Sequence, residues 1–209
     1  MIVPATTAEL RRRVLHSVRP LGAQPDAQGW NHADMRVLLG AGARRPAAVL
    51  VALIDRADGL NVLFTQRTDG LSHHAGQVSF PGGAIDAEDA DAIAAALRET
   101  REEIGVGGEL IEPIGYLDTF ETISDYRVTP VVAWLDAAYQ AVPNPGEVAE
   151  VFEVPLAHFL DPANKRSVRM KFREHERDIH EFVYAGQRIW GATAAMLLNF
   201  AKRLEAAAP

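Results

Sequence analysis

Three observations predict an α+β fold with a mixed sheet. Short apolar runs bounded by Gly, Pro, Asn and Asp recur along the chain, as strands do. A few segments instead read as helices, at both ends and in the middle. The 209 residues are 48% apolar with no internal repeat or low-complexity tract, enough to bury one substantial core and read as one domain.

Thr7 to Val18 reads as an amphipathic helix with Thr6 or Thr7 as its N-cap. A Pro/Gly-rich connector, Arg19 to Asn31, follows and is expected to be mobile. Residues 1–45 are assigned to the same unit as the main domain, 46–209. Ala47 to Asp55 and Leu60 to Arg67 look like strands across an Ala57-Asp58-Gly59 turn, and Gln77 to Phe80 like a short third strand. Pro81-Gly82-Gly83 reads as a loop opening onto a helix that Gly105 ends. Strands are expected at Leu110 to Leu117, Arg127 to Leu135 and Val151 to Val154, with a loop through Ala141 to Glu147. A hairpin within Val168 to Trp190 and a helix from Ala192 to about Ala206 complete the reading.

The central helix carries the chemistry. At about 100° per residue, Ile93, Leu97, Thr100 and Ile104 fall on one stripe facing a core, while Glu99, Glu102 and Glu103 share an arc away from it. Like charges at this spacing cost a helix roughly 0.2 to 0.5 kcal/mol per pair. Three glutamates alone would read as a solvated acidic face; a cation over them would remove the cost. Mg²⁺ or Mn²⁺ is the natural occupant, since hard ions take carboxylate oxygens.

The surrounding residues favour the cation. From Gly83, the segment runs through Arg98, Glu99, Glu102, Glu103, Gly105 and Val106 at the spacing of the Nudix box, which it resembles. Thr100 replaces an aliphatic residue; its methyl can pack inward while its hydroxyl bonds back one turn. Asp89, one residue further from Arg98 than usual, stands where the box has its first glutamate. Upstream, Leu63, Thr65, Arg67, Gly76, Phe80, Pro81, Gly82 and Gly83 resemble the second motif of the coenzyme A pyrophosphatase branch, with Ser72 in place of a second basic residue. YRVTPVV, EVAEVFEVPL and IWGATA extend that resemblance to about residues 45 to 200.

The resemblance implies a Nudix α/β/α sandwich and hydrolysis of a diphosphate bond in coenzyme A or its acyl derivatives. Glu99, Glu102 and Glu103 would hold the metal, one of them doubling as base, and Arg98 would orient them, with an Asp89 pair as a carry-over. Arg67, Gly76, Gln77, Gly82 and Gly83 would meet substrate, the glycines by letting backbone amides approach the diphosphate and Arg67 by reading the 3′-phosphate. Glu147, after a Pro-Gly loop, reads equally as a fourth acid or as a residue pinning the next element. Two alternatives stay open: a Nudix hydrolase for ADP-ribose, NADH or a nucleoside triphosphate, and a non-catalytic Nudix ligand sensor.

Composition sets limits on all of these. A net charge of -7 argues against nucleic-acid binding, which needs a basic footprint. There is no cysteine, so disulfides, thiolate zinc sites and a cysteine nucleophile are excluded. Met1 to Arg13 has no secretory h-region, and the longest apolar run, Ala47 to Ile54, falls far short of the roughly 20 residues of a membrane helix. The expectation is a cytoplasmic enzyme with a small-molecule substrate, compatible with a homodimer. His175 and His180 are spaced too widely for a zinc-protease motif and read as a polar strand face; His73 and His74 read as loop residues.

Overall fold

In the computed structural model, which describes residues 6–68, 76–172 and 174–207, strand β1 (Arg45–Arg56) lies at the centre of the main sheet. Its sequence is apolar on both faces, and both are covered. Leu50, Ala52 and Ile54 pack into one core and Val51 and Leu53 into another. A strand buried on both sides reads as a continuous apolar run, as Ala47 to Ile54 does.

Helix α1 (Thr7–Ser17) and helix α2 (His32–Leu39) precede β1. Strands β2 (Gly59–Arg67), β3 (Val78–Ser79) and β4 (Gly82–Ala84) lead to helix α3 (Ala92–Ile104). Strands β5 (Ile111–Tyr116), β6 (Phe120–Glu121), β7 (Tyr126–Leu135) and β8 (Val148–Pro155) complete the main sheet. Helix α4 (Leu156–Leu160) then leads to a separate sheet of β9 (Arg166–Phe172), β10 (His175–Tyr184) and β11 (Gln187–Trp190), and helix α5 (Gly191–Ala206) ends the described chain.

The main sheet runs β3-β2-β1-β7-β5, with β4 on β1, β6 on β7 and β8 on β2. It is mixed: β1 and β7 are parallel and the other pairs antiparallel. Helix α3 covers one face through Ala92, Ala95, Ala96 and Ile104. Val14 of α1, Phe159 of α4 and Leu197, Phe200 and Leu204 of α5 cover the other. The α+β class and the three-layer sandwich expected from the sequence are therefore what the chain forms.

The sheet forks at the middle of β1. Leu53 to Arg56 pair with β2, but Ala47 to Val49 pair with β4 on the same side. Beyond the split, Thr65 and Gln66 of β2 pair with β3 instead. The Val78-to-Ala84 segment thus crosses from one prong to the other, pinned at its middle by Leu50 N–H donating to Pro81 O at 2.8 Å.

Several expectations need correction. Gly82 and Gly83 are in strand β4 rather than in a loop. At Gly82, with φ 150°, a Cβ would sit 2.3 Å from Ala48 O, so only glycine lets β4 lie against β1. The Arg19-to-Asn31 connector is tied down: Arg19 bridges to Tyr116, and Trp30 N–H donates to Thr119 O at 2.9 Å. The hairpin within Val168 to Trp190 has a third strand. Helix α2 has no sequence signal because Asn31, at its N-cap position, spends its side chain on the backbone of Glu121 at 2.7 and 2.8 Å instead. Helix α4, a single short turn after Pro155, is equally unsignalled. No described helix is long and apolar enough to cross a membrane.

Candidate active site

Helix α3 starts where the Asp91 carboxylate accepts from Ala94 N–H at 2.8 Å and stops at Gly105 in the left-handed region. Between these caps the alanines let it sit close to the sheet, and its buried side differs from the expected stripe. Ala95, Ala96, Thr100, Glu103 and Ile104 are buried, whereas Ile93 and Leu97 are only partly so. Thr100 satisfies its hydroxyl on Ala96 O at 2.7 Å. Glu103, expected on the solvent arc, is 2% exposed. The three acids are therefore unequal: Glu102 is exposed, Glu99 intermediate and Glu103 inside.

Arg98 organises the outer two. Its guanidinium donates to Asp89 through Nε at 3.0 Å and Nη2 at 2.8 Å, to Glu99 at 2.9 Å, to Glu102 at 3.2 Å and to Ala84 O at 3.0 Å. The hydrogen bonds from Arg98, reinforced by the backbone of Asp86, hold the Asp89 carboxyl below its usual range. Asp86 stands 3.5 Å from the same guanidinium, a contact with no signal in the residue pattern. The planar fork of arginine suits this many acceptors and the point charge of lysine does not.

Glu103 has much less. Arg67 Nη1 is 3.8 Å from its Oε1, while Glu103 Oε2 and Arg67 Nε are both buried with no hydrogen-bond partner among the described residues. Burial pushes the Glu103 carboxyl up to about 8, against the pull of Arg67 and of the Gly82 amide; Glu99 and Glu147 push it further. Burial also raises Glu99, opposed by Arg98 and helped by Glu102 and Glu147. Glu147 thus stands within electrostatic reach of both acids, and its side chain accepts a long contact from Asn144 at 3.4 Å.

The residues singled out from the sequence share this neighbourhood. Arg67 lies at the end of β2, where its N–H donates to Gln77 O at 2.9 Å and its carbonyl accepts from Gly76 N–H at 3.2 Å. A Cβ at Gly83 would come 2.5 Å from the Glu99 carboxylate, so this glycine makes room for that acid. Ser72, His73 and His74 lie outside the described residues. Among the described residues no three acidic or histidine side chains already stand close enough to hold an ion, Glu99 and Glu102 being drawn to Arg98. The donor set is nevertheless all oxygen, and the orphaned, buried Oε2 of Glu103 is a group that a hard cation would satisfy.

Residues 44–174 match the NUDIX domain family model. The uncharacterized Nudix hydrolase NudL of Escherichia coli (strain K12) is 39% identical over 162 residues, covering 77% of this chain and 83% of that protein. NudL of Enterobacter sp. (strain 638) is 38% identical over 163 residues, with the same two coverages, 77% and 83%. Among solved structures, a MutT/nudix family protein from Enterococcus faecalis aligns with a TM-score of 0.52 at 19% identity, over 79% of this chain and 64% of that one, a likeness of fold alone. With arginine and three glutamates held on one helix beneath the strand that opens the box, the chain belongs to the Nudix hydrolases, a family that cleaves phosphoric anhydrides with the help of divalent cations.

Proposed function

We propose that this enzyme hydrolyses the diphosphate bond of coenzyme A or acyl-coenzyme A, giving adenosine 3′,5′-bisphosphate and 4′-phosphopantetheine or its acyl form. The observation that carries the proposal is the Leu63-to-Gly83 segment, whose matches to the coenzyme A pyrophosphatase pattern go beyond what the Nudix box requires. Glu99, Glu102 and Glu103 would hold Mg²⁺ or Mn²⁺. A divalent cation bound there screens the diphosphate oxygens and makes water a better nucleophile near neutral pH.

The chain's own groups supply the rest. Arg98 presents Glu99 and Glu102 from a fixed guanidinium, so that less side-chain freedom is lost when the acids take up a ligand. Glu103, pushed up to about 8, is a carboxyl that can hold or release a proton near neutral pH. Arg67, 3.8 Å from Glu103, stands beside the acids that would hold the cation. That position favours a contact with the diphosphate itself over the 3′-phosphate expected from the sequence. Gly76 and Gln77 hold the backbone of Arg67 in place.

The test is to incubate the purified protein with Mg²⁺ or Mn²⁺ and coenzyme A, dephospho-coenzyme A, ADP-ribose, NADH or dNTPs, and to identify products by mass. Coenzyme A and its dephospho form should both be cleaved, at rates within about tenfold of each other if Arg67 reads the shared diphosphate. A clear preference for ADP-ribose, NADH or a dNTP would replace the coenzyme A assignment.

A further inference from the structure

A second concave site lies on the face of the sheet opposite α3. It is a cavity of about 190 Å³ lined by Trp30, His180, Ala195, Leu198, Asn199 and Lys202. All six residues fall outside the 44–174 stretch that matches the NUDIX domain. The cavity is assembled by the pinned connector, β10 and α5.

Its chemistry is specific. Trp30 is 50% exposed, and its ring leans on Phe120 with centroids 5.5 Å apart, so an aromatic wall is held open to the cavity. Asn199 donates through Nδ2 to Asp118 Oδ2 at 2.9 Å. A carboxylate can only accept, which fixes the amide orientation and leaves Oδ1 as an acceptor. That Oδ1 has no hydrogen-bond partner among the described residues but is buried, closed to water and so to a ligand in the cavity. Asp118 does not make the cavity acidic, because Arg203 pairs with it at 2.8 Å.

The charge around the cavity runs against that of the whole chain, which is -7. Lys202 lines it, and Lys165 stands near enough to His180 for both lysines to add to the effect of burial in lowering the histidine's pKa. Asp178 opposes them but is committed to Arg169 at 3.0 Å. An aromatic face and a lysine on the same cavity together call for a flat ring that carries an anionic tail. At about 190 Å³ the cavity is below the roughly 300 Å³ at which drug-sized sites begin, so it suits one ring system with the tail outside.

We propose that this cavity is a second ligand site that takes a nucleoside monophosphate, the base stacked on Trp30 and the phosphate beside Lys202. The site is separate from the catalytic acids and does not depend on the coenzyme A assignment.

Calorimetric titration of the metal-free full chain with AMP, which has no anhydride to cleave, tests this directly. Adenosine and inorganic phosphate serve as part-ligands. AMP should bind, and both Trp30→Ala and Lys202→Glu should weaken it about tenfold or more. Trp30→Phe should retain most of the affinity, and Glu103→Gln should leave it unchanged. Lys202 is exposed, so its variant reports binding even if Trp30→Ala disturbs the connector. The proposal is overturned if AMP does not bind at millimolar concentration, if phosphate alone binds as tightly as AMP, if neither variant weakens AMP, or if Glu103→Gln abolishes binding. The last result would assign the nucleotide to the catalytic site.

Discussion

Glu103, beside Arg67 at the end of β2, and Glu153, on β8 opposite Leu63, are both carboxylates withdrawn from water, and their surroundings could hardly differ more. Glu153 accepts from Arg56 at 2.6 and 3.0 Å, from Tyr139 at 2.7 Å and from Asn61 at 3.2 Å. Burial pushes its carboxyl up, yet these donors, Arg56 foremost, bring it below the usual range. Glu103 has a distant Arg67 and an oxygen with no partner among the described residues, and it is pushed up to about 8. A fold that needs a buried carboxylate for architecture surrounds it with donors. One left unsatisfied beside other acids has a use that the isolated chain does not fulfil.

The strongest way to break the contrast is to neutralise each acid. Glu103→Gln should cut turnover on the order of 10²-fold or more, because a charged ligand to the cation is lost, while the metal-free protein melts no lower than wild type. Glu153→Gln should do the reverse. It leaves Arg56 under-compensated, so stability should fall by on the order of 2 kcal/mol, a Tm loss of about 5 °C, with kcat kept within about twofold. If both variants lost only stability, Glu103 would be an architectural residue like Glu153.

Arg67→Ala comes next in size. It should lower kcat/KM about ten- to a hundredfold, and equally for coenzyme A and dephospho-coenzyme A if the contact is to the diphosphate. A loss confined to coenzyme A would return Arg67 to the 3′-phosphate. Arg98→Lys should cost about tenfold in activity with a modest loss of Tm, and excess cation should restore part of the rate, since the fork that presents Glu99 and Glu102 is gone. Loss of folding would instead make Arg98 a structural pin.

The smallest effect is also the most specific. A free glutamate titrates near 4.5, but burial pushes the Glu103 carboxyl up to about 8 in the folded chain. Between these values the folded state holds the extra proton, so the stability of the metal-free protein should fall as pH rises through that window. A Tm decline of about 5 °C between pH 5 and pH 8 is expected in EDTA, flattened in Glu103→Gln and reversed by Mg²⁺ in wild type only. A wild-type curve no steeper than that of the variant would remove the raised carboxyl from the account.

Much of this was legible in the sequence. Thr6, Gly105 and the alternation of apolar residues with turns placed most helices and strands, because those signals act within a few residues. The spacing of Glu99, Glu102 and Glu103 was equally local. What could not be read is which glutamate would be inside. Glu103 is enclosed by Arg67 and Gly82, which reach it only through the fork of the sheet, and by the close seat that Ala95 and Ala96 allow α3. Helix α2 was missed for a similar reason, its capping asparagine being engaged with Glu121, ninety residues away.

The fork also sets where the chain can change length. The strand-to-strand turns can absorb an added residue at the surface. The stretch from Val78 to Ala84 cannot, since its two ends are zipped to different strands, to Thr65 and Gln66 on one prong and to Ala47 through Val49 on the other. One residue inserted between them must slip one ladder or the other, and a slip of one turns every side chain on that strand to the opposite face. Gly83 would then give up its place against Glu99 or Val78 its place in the core. Within this chain, insertions and deletions should be tolerated in the outer loops and rejected across this seven-residue bridge.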